Sequence, residues 1–274
     1  MRFTKMQGAG NDFIVVNNMD GKIEPETYGD LARRFCPRRM SIGADGFMIV
    51  EPARRGGDFR MAFYNSDGSM GEMCGNGARC IAKYGYEKGI AGEEMVIETT
   101  AGEVQAWRLS EREYKVRLND ITVLEKKSLE ALGKTWDCAY VELGNPGIPH
   151  LVLAYPMLKD TSAESLWALG KALRSHGDLP KGANVNFYEI TDTDRVFERT
   201  FERGVENFTY ACGTGTGSVV GVLAGEGLVT GRHTAVDMEG GTLFIDVERE
   251  GENITGLYLS GPALIVAEGE TGEV

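Results

Sequence analysis

Hydrophobic residues fall mostly into short runs, such as FIVV and FMIV, that glycine-containing turns separate. Runs of this length rich in Val, Ile and Phe are typical of β-strands. The segments after Cys74 and Cys212 differ, because they lack proline and carry apolar residues at helical spacing. A glycine near the end of each, Gly89 and Gly227, is a helix stop signal. The pattern predicts an α+β chain with a helix after each cysteine.

The chain contains an internal repeat. In the windows 63–89 and 201–227, a phenylalanine stands 11 positions before a cysteine that opens a C-G-x-G motif, and a glycine stands 15 positions after it. Upstream, GNDFIVV and GADGFMIV have counterparts in GIPHLVL and GANVNFYEI. Downstream, IETTAGEVQAW and VDMEGGTLFIDV both have the pattern strand, glycine turn, strand. Four matched features in one order indicate two homologous halves.

The repeat predicts two domains of ordinary size. We place the boundary near Asn119 and Asp120, so that residues 1–119 form the half with Cys74 and residues 120–262 the half with Cys212. The last strand, within 263–274, is expected to complete the first half.

Composition restricts the function classes. The chain is 42% hydrophobic and 26% charged, as in soluble globular proteins, and its net charge of -12 makes nucleic acid or an anionic membrane a poor partner. No apolar run approaches the roughly 20 residues of a membrane span. The first residues lack the pattern of a signal peptide, and the five cysteines are an odd number, so we expect free thiols in the cytoplasm.

Nothing in the sequence points to a metal or a nucleotide. No C-x-x-C pair occurs and the three histidines are scattered, which disfavours zinc. No phosphate-binding glycine loop precedes a helix. We expect no cofactor.

Cys74 and Cys212 are candidates for acid–base chemistry. Each is predicted at a helix N-terminus, where free N–H groups and the helix dipole lower a thiol pKa and bind carboxylates. If two such domains face each other, one thiolate removes an α-proton and the opposite thiol returns one to the other face. The product of that reaction is an inverted stereocentre.

Other interpretations of the cysteines stay open. Cys36, Cys80 and Cys138 lack the repeated motif, so a buried structural role is expected for them. A cysteine hydrolase using His150 would leave the second C-G-x-G motif unexplained. A non-catalytic, redox-sensitive amino-acid-binding protein, with the two repeated cysteines forming a disulfide, is an alternative of a different class.

The chain resembles the diaminopimelate epimerase family over nearly its whole length. The motifs that carry the resemblance are KMQGAGNDFIVV, IGADG, FYNSDGSMGEMCGNGARC, GANVNF and ERG followed by ACGTGTGS. The resemblance implies two pseudo-symmetric domains, each a curved, mostly antiparallel sheet wrapped around a central helix. It also implies a homodimer without a cofactor that interconverts LL- and meso-2,6-diaminopimelate in lysine and peptidoglycan synthesis.

The family pattern assigns roles to individual residues. Cys74 and Cys212 would be the acid–base pair, and His150 and Glu202 would tune the thiols. Arginine can form two parallel hydrogen bonds to a carboxylate, and the side-chain oxygen of asparagine can accept a hydrogen bond from an ammonium group. The residues implied in substrate binding are Gly75, Asn76, Gly213 and Thr214 for the reacting α-carboxylate, and Asn11, Asn65, Asn184, Glu202 and Arg203 for the rest of the substrate.

Some positions depart from the family pattern. Ile148 stands where a substrate-binding asparagine is usual, Gly46 where some members have glutamine, and Ala267 where some have a tyrosine associated with dimerisation. A racemase of another amino acid, for example histidine or a proline-like one, is therefore the second interpretation.

Overall fold

The computed structural model describes residues 1–71 and 74–272. The chain divides into two compact units, one of Met1–Val116 with Ser260–Val274 and one of Arg117–Leu259. Both boundaries fall three residues before the predicted ones, at 119 and 262. The last strand belongs to the first unit.

The first unit contains a sheet and two helices. Its elements in chain order are β1 (Arg2–Gly8), β2 (Asn11–Asn17), α1 (Tyr28–Phe35), β3 (Gly46–Glu51), β4 (Phe59–Asn65), α2 (Gly75–Glu87), β5 (Glu94–Thr99), β6 (Gly102–Arg108), β7 (Glu113–Arg117) and, from the end of the chain, β17 (Leu264–Glu270). Strand β17 pairs with β1, so an edge of this sheet comes from the last part of the sequence.

The second unit repeats this arrangement, and its first two strands form a long hairpin. Its elements are β8 (Ile121–Ala131), β9 (Lys134–Leu143), β10 (Ile148–Ala154), α3 (Ala163–Arg174), β11 (Asn184–Asp192), β12 (Arg195–Glu202), β13 (Asn207–Thr209), α4 (Gly213–Gly225), β14 (Thr234–Met238), β15 (Gly241–Glu250) and β16 (Asn253–Pro262).

Strand pairing confirms the predicted duplication. From β1 to β6, neighbouring strands pair antiparallel, parallel, antiparallel, parallel and antiparallel. The series β9, β10, β11, β12, β14, β15 follows the same sequence of orientations. The last hairpin of each series turns at a glycine with positive φ, Gly102 at 117° and Gly241 at 122°. Two halves with one topology are the expected product of a gene duplication.

The two repeated helices lie inside their units. Gly75–Gly85 of α2 and Gly213–Ala224 of α4 are buried. Each helix ends before a left-handed glycine, as predicted: Gly89 has φ 66° and Gly227 has φ 73°. The N–H groups that follow bond back to carbonyls of the last turn, which satisfies acceptors that the helix cannot pair itself. The protein is therefore α+β, with a mostly antiparallel sheet around a central helix in each unit.

Outer helices cover separate apolar clusters. Helix α1 packs Tyr28, Leu31 and Phe35 against β2 and β3, and α3 packs Leu166 and Leu173 against strands of the second unit. Within the described residues, no helix has the length and apolarity needed to cross a bilayer.

The close packing around α2 gives a stability prediction. A Cβ added at Gly85 would lie 2.7 Å from Cε1 of Phe59, whose ring is fully buried. Gly85→Ala should therefore lower the free energy of unfolding by about 1–3 kcal/mol. Gly225→Ala is the matched control, since nothing lies within 4 Å of its added Cβ. It should be neutral or stabilising by up to about 1 kcal/mol. Urea unfolding followed by circular dichroism measures both, and equal effects would contradict this packing.

Candidate functional site

Cys74 occupies the N-cap of α2. Its backbone is extended, with φ -121°, and its Sγ accepts a hydrogen bond from the N–H of Gly77 at 3.4 Å. The side chain is half-buried, whereas the residues of the first turn behind it are buried. The sequence prediction of a thiol at a helix N-terminus is confirmed here. This end of the helix presents N–H groups that attract anions.

A buried arginine lies behind Cys74. Arg79 is fully buried, and its Nη2 donates to Oδ1 of Asn76 at 2.8 Å. Asn76 in turn donates through Nδ2 to Oδ1 of Asn11 at 2.6 Å. Burial lowers the pKa of Arg79 to about 10, and the guanidinium still carries a positive charge that attracts a thiolate at Cys74. The structure thus brings Asn11, Asn76 and the α2 N-terminus together.

Asn65 has a local role in the structure. Its Nδ2 donates to Oγ of Ser69 at 2.9 Å, and its carbonyl accepts from the N–H of Gly68 at 2.9 Å. These bonds close the turn after β4, and the asparagine side chain is exposed. No described contact joins Asn65 to Asn11 or Asn76, so its binding role remains a prediction.

Cys212 occupies the N-cap of α4 in the same way, with φ -126°. Its Sγ lies 3.7 Å from Oγ1 of Thr214. The sequence predicts a lowered pKa for this thiol, and for Cys212 the net direction is the opposite. Burial and the negative charge of Glu202 raise its pKa well above the usual value, and the opposing contributions of the Gly215 N–H and the Thr214 hydroxyl are smaller. Desolvation outweighs the helix end, so the structure favours a neutral thiol.

His150 is fully buried on β10. Its Nδ1 lies 3.2 Å from Nδ2 of Asn186, an amide that can only donate, so Nδ1 accepts and the proton is on Nε2. Nε2 has no hydrogen-bond partner within residues 1–71 and 74–272. Burial lowers the pKa of His150 to about 3, and the nearby charge of Arg203 acts in the same direction. The imidazole is neutral throughout the physiological range.

The ends of β11 and β12 bring three predicted residues together. Oδ1 of Asn184 accepts from the backbone N–H of Arg203 at 2.8 Å, and Glu202 accepts through Oε1 from Oγ1 of Thr209 at 2.7 Å. The exposed guanidinium of Arg203 donates to the carbonyl of Lys181 at 2.9 Å. This is the only hydrogen bond of that guanidinium within the described part of the chain, which leaves other donors for a carboxylate.

One departure from the family pattern, at Gly46, has a structural reason, whereas nothing in the structure explains Ile148. A Cβ at Gly46 would lie 2.4 Å from Cε2 of Phe63, so a glutamine there would require that ring to move. Ile148 is the first residue of β10 and pairs with Leu143 of β9. Its position belongs to the strand ladder.

Sequence reasoning missed Arg79 and Glu198, both buried ionisable residues. A signal for Glu198 was present, because it shares one face of β12 with the buried Val196 and Thr200, which lie two residues before and after it. The remaining cysteines are buried as expected, and burial raises the pKa of Cys36 and Cys138 to about 11 and that of Cys80 to about 12. The described residues contain no group of three side chains suited to a metal ion.

Comparison with known sequences gives one consistent result. The family model described as diaminopimelate epimerase matches residues 3–120 and 143–266. The chain is 36% identical over 283 residues to the diaminopimelate epimerase of Aquifex aeolicus, covering 100% of this chain and 98% of that protein. It is 39% identical over 227 residues to that of Hydrogenobaculum sp., covering 79% and 80%.

Solved structures share the fold at low identity. A probable proline racemase from Agrobacterium radiobacter aligns with a TM-score of 0.69 and 17% identity, covering 100% of this chain and 93% of that one. A protein of the phenazine biosynthesis PhzF family from Enterococcus faecalis aligns with a TM-score of 0.70 and 16% identity, covering 98% of each. These likenesses show the fold, whereas the full-length sequence matches identify the family. The chain belongs to the diaminopimelate epimerase family.

Proposed function

We propose that this chain interconverts LL- and meso-2,6-diaminopimelate by proton transfer at one α-carbon, with Cys74 and Cys212 as acid and base. The observation that carries the proposal is the repeated arrangement of a half-buried cysteine on the N-terminus of a buried helix, once in each half of the chain. The names of the sequence relatives supply the substrate.

The proton transfer itself involves the two thiols and the substrate carboxylate. A thiolate takes the α-proton, and the electron pair left on the carbon delocalises into the adjacent carboxylate. The other thiol donates its proton to the opposite face of the carbon. The carbon is inverted, and the thiol and thiolate have exchanged roles.

The helix N-termini suit the carboxylate that carries the developing charge. We assign its binding to the first-turn backbones of Gly75 and Asn76 in one unit and Gly213 and Thr214 in the other. Free N–H groups and the positive end of the helix dipole interact more strongly as the negative charge grows. The side chain of Asn76 already bonds to Asn11 and Arg79, so its backbone is the part suited to this role.

The two thiols lie in opposite electrostatic surroundings. The positive charge of Arg79 attracts a thiolate at Cys74, whereas burial and Glu202 disfavour one at Cys212. This difference supports a resting state with Cys74 as the base and Cys212 as the acid. His150 is neutral and buried, and Glu202 acts on Cys212 through its charge.

The distal amino acid of the substrate carries a second carboxylate and an ammonium group. We assign the carboxylate to Arg203 and the ammonium group to the oxygens of Asn11, Asn65 and Asn184. The spare donors of the Arg203 guanidinium support this assignment, since two parallel N–H groups match a carboxylate.

We further propose that the protein is a cytoplasmic homodimer that serves lysine and peptidoglycan synthesis. All five cysteines are free thiols, which suits a reducing compartment. Light scattering coupled to gel filtration measures the oligomeric state, and a monomeric mass would rule out the dimer.

The central prediction concerns the substrate proton. Reduced protein incubated with LL-diaminopimelate in deuterium oxide should form the meso isomer with one solvent deuterium, because the returned proton comes from an exchangeable thiol. Chiral chromatography with mass spectrometry measures both changes. Inversion without deuterium would refute the two-thiol mechanism. Folded, reduced protein that neither inverts nor exchanges any amino acid would favour the redox-sensitive binding protein.

Cys74→Ala and Cys212→Ala should each lower kcat by about 10²–10⁴-fold, the usual contribution of a positioned acid or base. Cys138→Ala is the matched control, since this thiol lies in the apolar cluster under α3. It should leave kcat unchanged while lowering stability. Steady-state kinetics of the three variants measures the difference, and a Cys138 effect as large as the others would contradict these roles.

Arg203→Ala should lower kcat/KM for diaminopimelate by about ten- to hundredfold, the cost of losing hydrogen bonds to a charged group. Arg203→Lys should recover part of the loss. Arg232→Ala removes the same charge from an exposed turn of the same unit and should have no effect. Normal turnover by Arg203→Ala would make a racemase of another amino acid the better assignment.

A further inference from the structure

A carboxyl group lies under the first turn of α4 with no cation beside it. Glu198 is 2% exposed. Its Oε1 lies 3.1 Å from Oγ1 of Thr200, and its Oε2 lies 2.9 Å from Oγ1 of Thr216. No lysine, arginine or histidine forms an ion pair with it in the described residues. An ionised carboxylate that is buried without a cation is strongly disfavoured. Burial therefore favours the protonated, neutral form of Glu198.

The hydrogen bonds around Glu198 require a proton on its carboxyl group. Oγ1 of Thr200 also lies 3.0 Å from Oδ1 of Asn186, and Oγ1 of Thr216 lies 2.9 Å from the carbonyl of Cys212. Oδ1 of Asn186 and the carbonyl oxygen of Cys212 can only accept hydrogen bonds. Four oxygen–oxygen contacts therefore share two hydroxyl protons when Glu198 is ionised. A proton on the carboxyl group is a third proton, so three of the four contacts are hydrogen bonds when Glu198 is neutral.

The partners of Asn186 fix the orientation of its amide. Its Nδ2 donates to the carbonyl of Leu151 at 2.9 Å and lies 3.2 Å from Nδ1 of His150. Its Oδ1 must then face Thr200. The chain of hydrogen bonds consequently runs from His150 through the Asn186 amide to Glu198.

The other end of this chain of hydrogen bonds is the backbone of Cys212. Its carbonyl accepts from both the N–H and the hydroxyl of Thr216, at 2.8 and 2.9 Å. The contact with α4 is tight, since a Cβ at Gly215 would lie 2.3 Å from Oδ1 of Asn186 and 3.2 Å from Oε1 of Glu198. The carboxyl group thus holds the turn that carries the thiol.

We propose that Glu198 is a positioning residue for Cys212: as a neutral acid it fixes the first turn of α4, and its ionisation in alkaline solution loosens that turn and suppresses the reaction. This inference rests on the proposed role of Cys212 in proton transfer. The two hydroxyls would have to turn toward an ionised Glu198. Oδ1 of Asn186 then loses the Thr200 proton, and the Cys212 carbonyl keeps only the N–H of Thr216.

The negative charge of an ionised Glu198 would also act against the reaction, through its effect on Cys212. Burial raises the pKa of Glu198 to about 8, so the group titrates near the working range of an enzyme. Its negative charge would raise the pKa of the Cys212 thiol further. The titratable or charged groups around it are Glu202 on its own strand, Cys212 on α4, His150 on β10 through Asn186, and Glu164, Arg199 and Glu239, which line the adjoining cavity of about 690 Å³.

Kinetics of two Glu198 variants test the proposal. Glu198→Ala removes the contacts and should lower kcat about ten- to hundredfold with little change in KM, since the thiol is misplaced. Glu198→Gln keeps a donor and an acceptor but cannot ionise. It should recover most of kcat and move the alkaline fall of kcat upward by about one pH unit. Glu164→Gln, an exposed carboxylate of the same cavity, should leave the pH profile unchanged.

Stability measured against pH tests the neutral acid without using activity. The folded chain would keep a proton on Glu198 that the unfolded chain, with an ordinary glutamate pKa near 4.5, has released. The free energy of unfolding should therefore fall as pH rises between about 4.5 and 8. Glu198→Gln should remove this part of the slope. An unchanged slope would mean that Glu198 is ionised in the fold, which overturns the proposal.

Alkylation of Cys212 separates failure of this inference from failure of the proposed function. In a Cys74→Ala background, the rate of iodoacetamide labelling at Cys212, followed by peptide mass spectrometry, reports its thiolate. Glu198→Gln should move the midpoint of this rate to lower pH. If it does so while the protein with both cysteines does not turn over diaminopimelate, the coupling holds and the proposed function fails. An identical midpoint and kcat profile with and without Glu198→Gln would overturn the coupling.

Discussion

A helix surrounded by a sheet cannot use water to satisfy the N–H groups of its first turn, and this constraint governs both halves of the protein. Helices α2 and α4 are buried from their first residue. The cysteine that caps each one is only half-buried. The same burial that stabilises each unit therefore leaves hydrogen-bond donors at the point where a thiol and an anionic ligand can meet.

The two halves keep this backbone arrangement, whereas the buried side chains behind the first turn of each helix have diverged. Behind the first turn of α2 lies a guanidinium, and behind that of α4 lies a carboxyl group. Reversible proton transfer between two groups requires that one begin protonated and the other deprotonated. A duplicated fold supplies two equivalent thiols. The charge of Arg79 beside one, and burial with the charge of Glu202 at the other, make them different.

Local patterns in the sequence were sufficient to predict the duplication, the helices after Cys74 and Cys212, and the glycines that end them. These features depend on neighbours within a turn or two, where spacing and backbone conformation dominate. Helices α1 and α3 and the exact strand limits were not predicted. The raised pKa of Cys212 also escaped prediction, because burial in the folded chain and the charge of Glu202 exceed the local effect of the helix end.

The partnership of β1 with β17 has a consequence for biosynthesis. The second unit is one continuous segment, whereas the first requires both the earliest and the latest strands. At about 5–20 residues per second, the roughly 250 residues between these strands take on the order of 10–50 s to emerge from the ribosome. Throughout that interval one edge of β1 has no partner, and unpaired strand edges promote aggregation. The nascent chain is therefore most vulnerable in its first half, although that half is translated first.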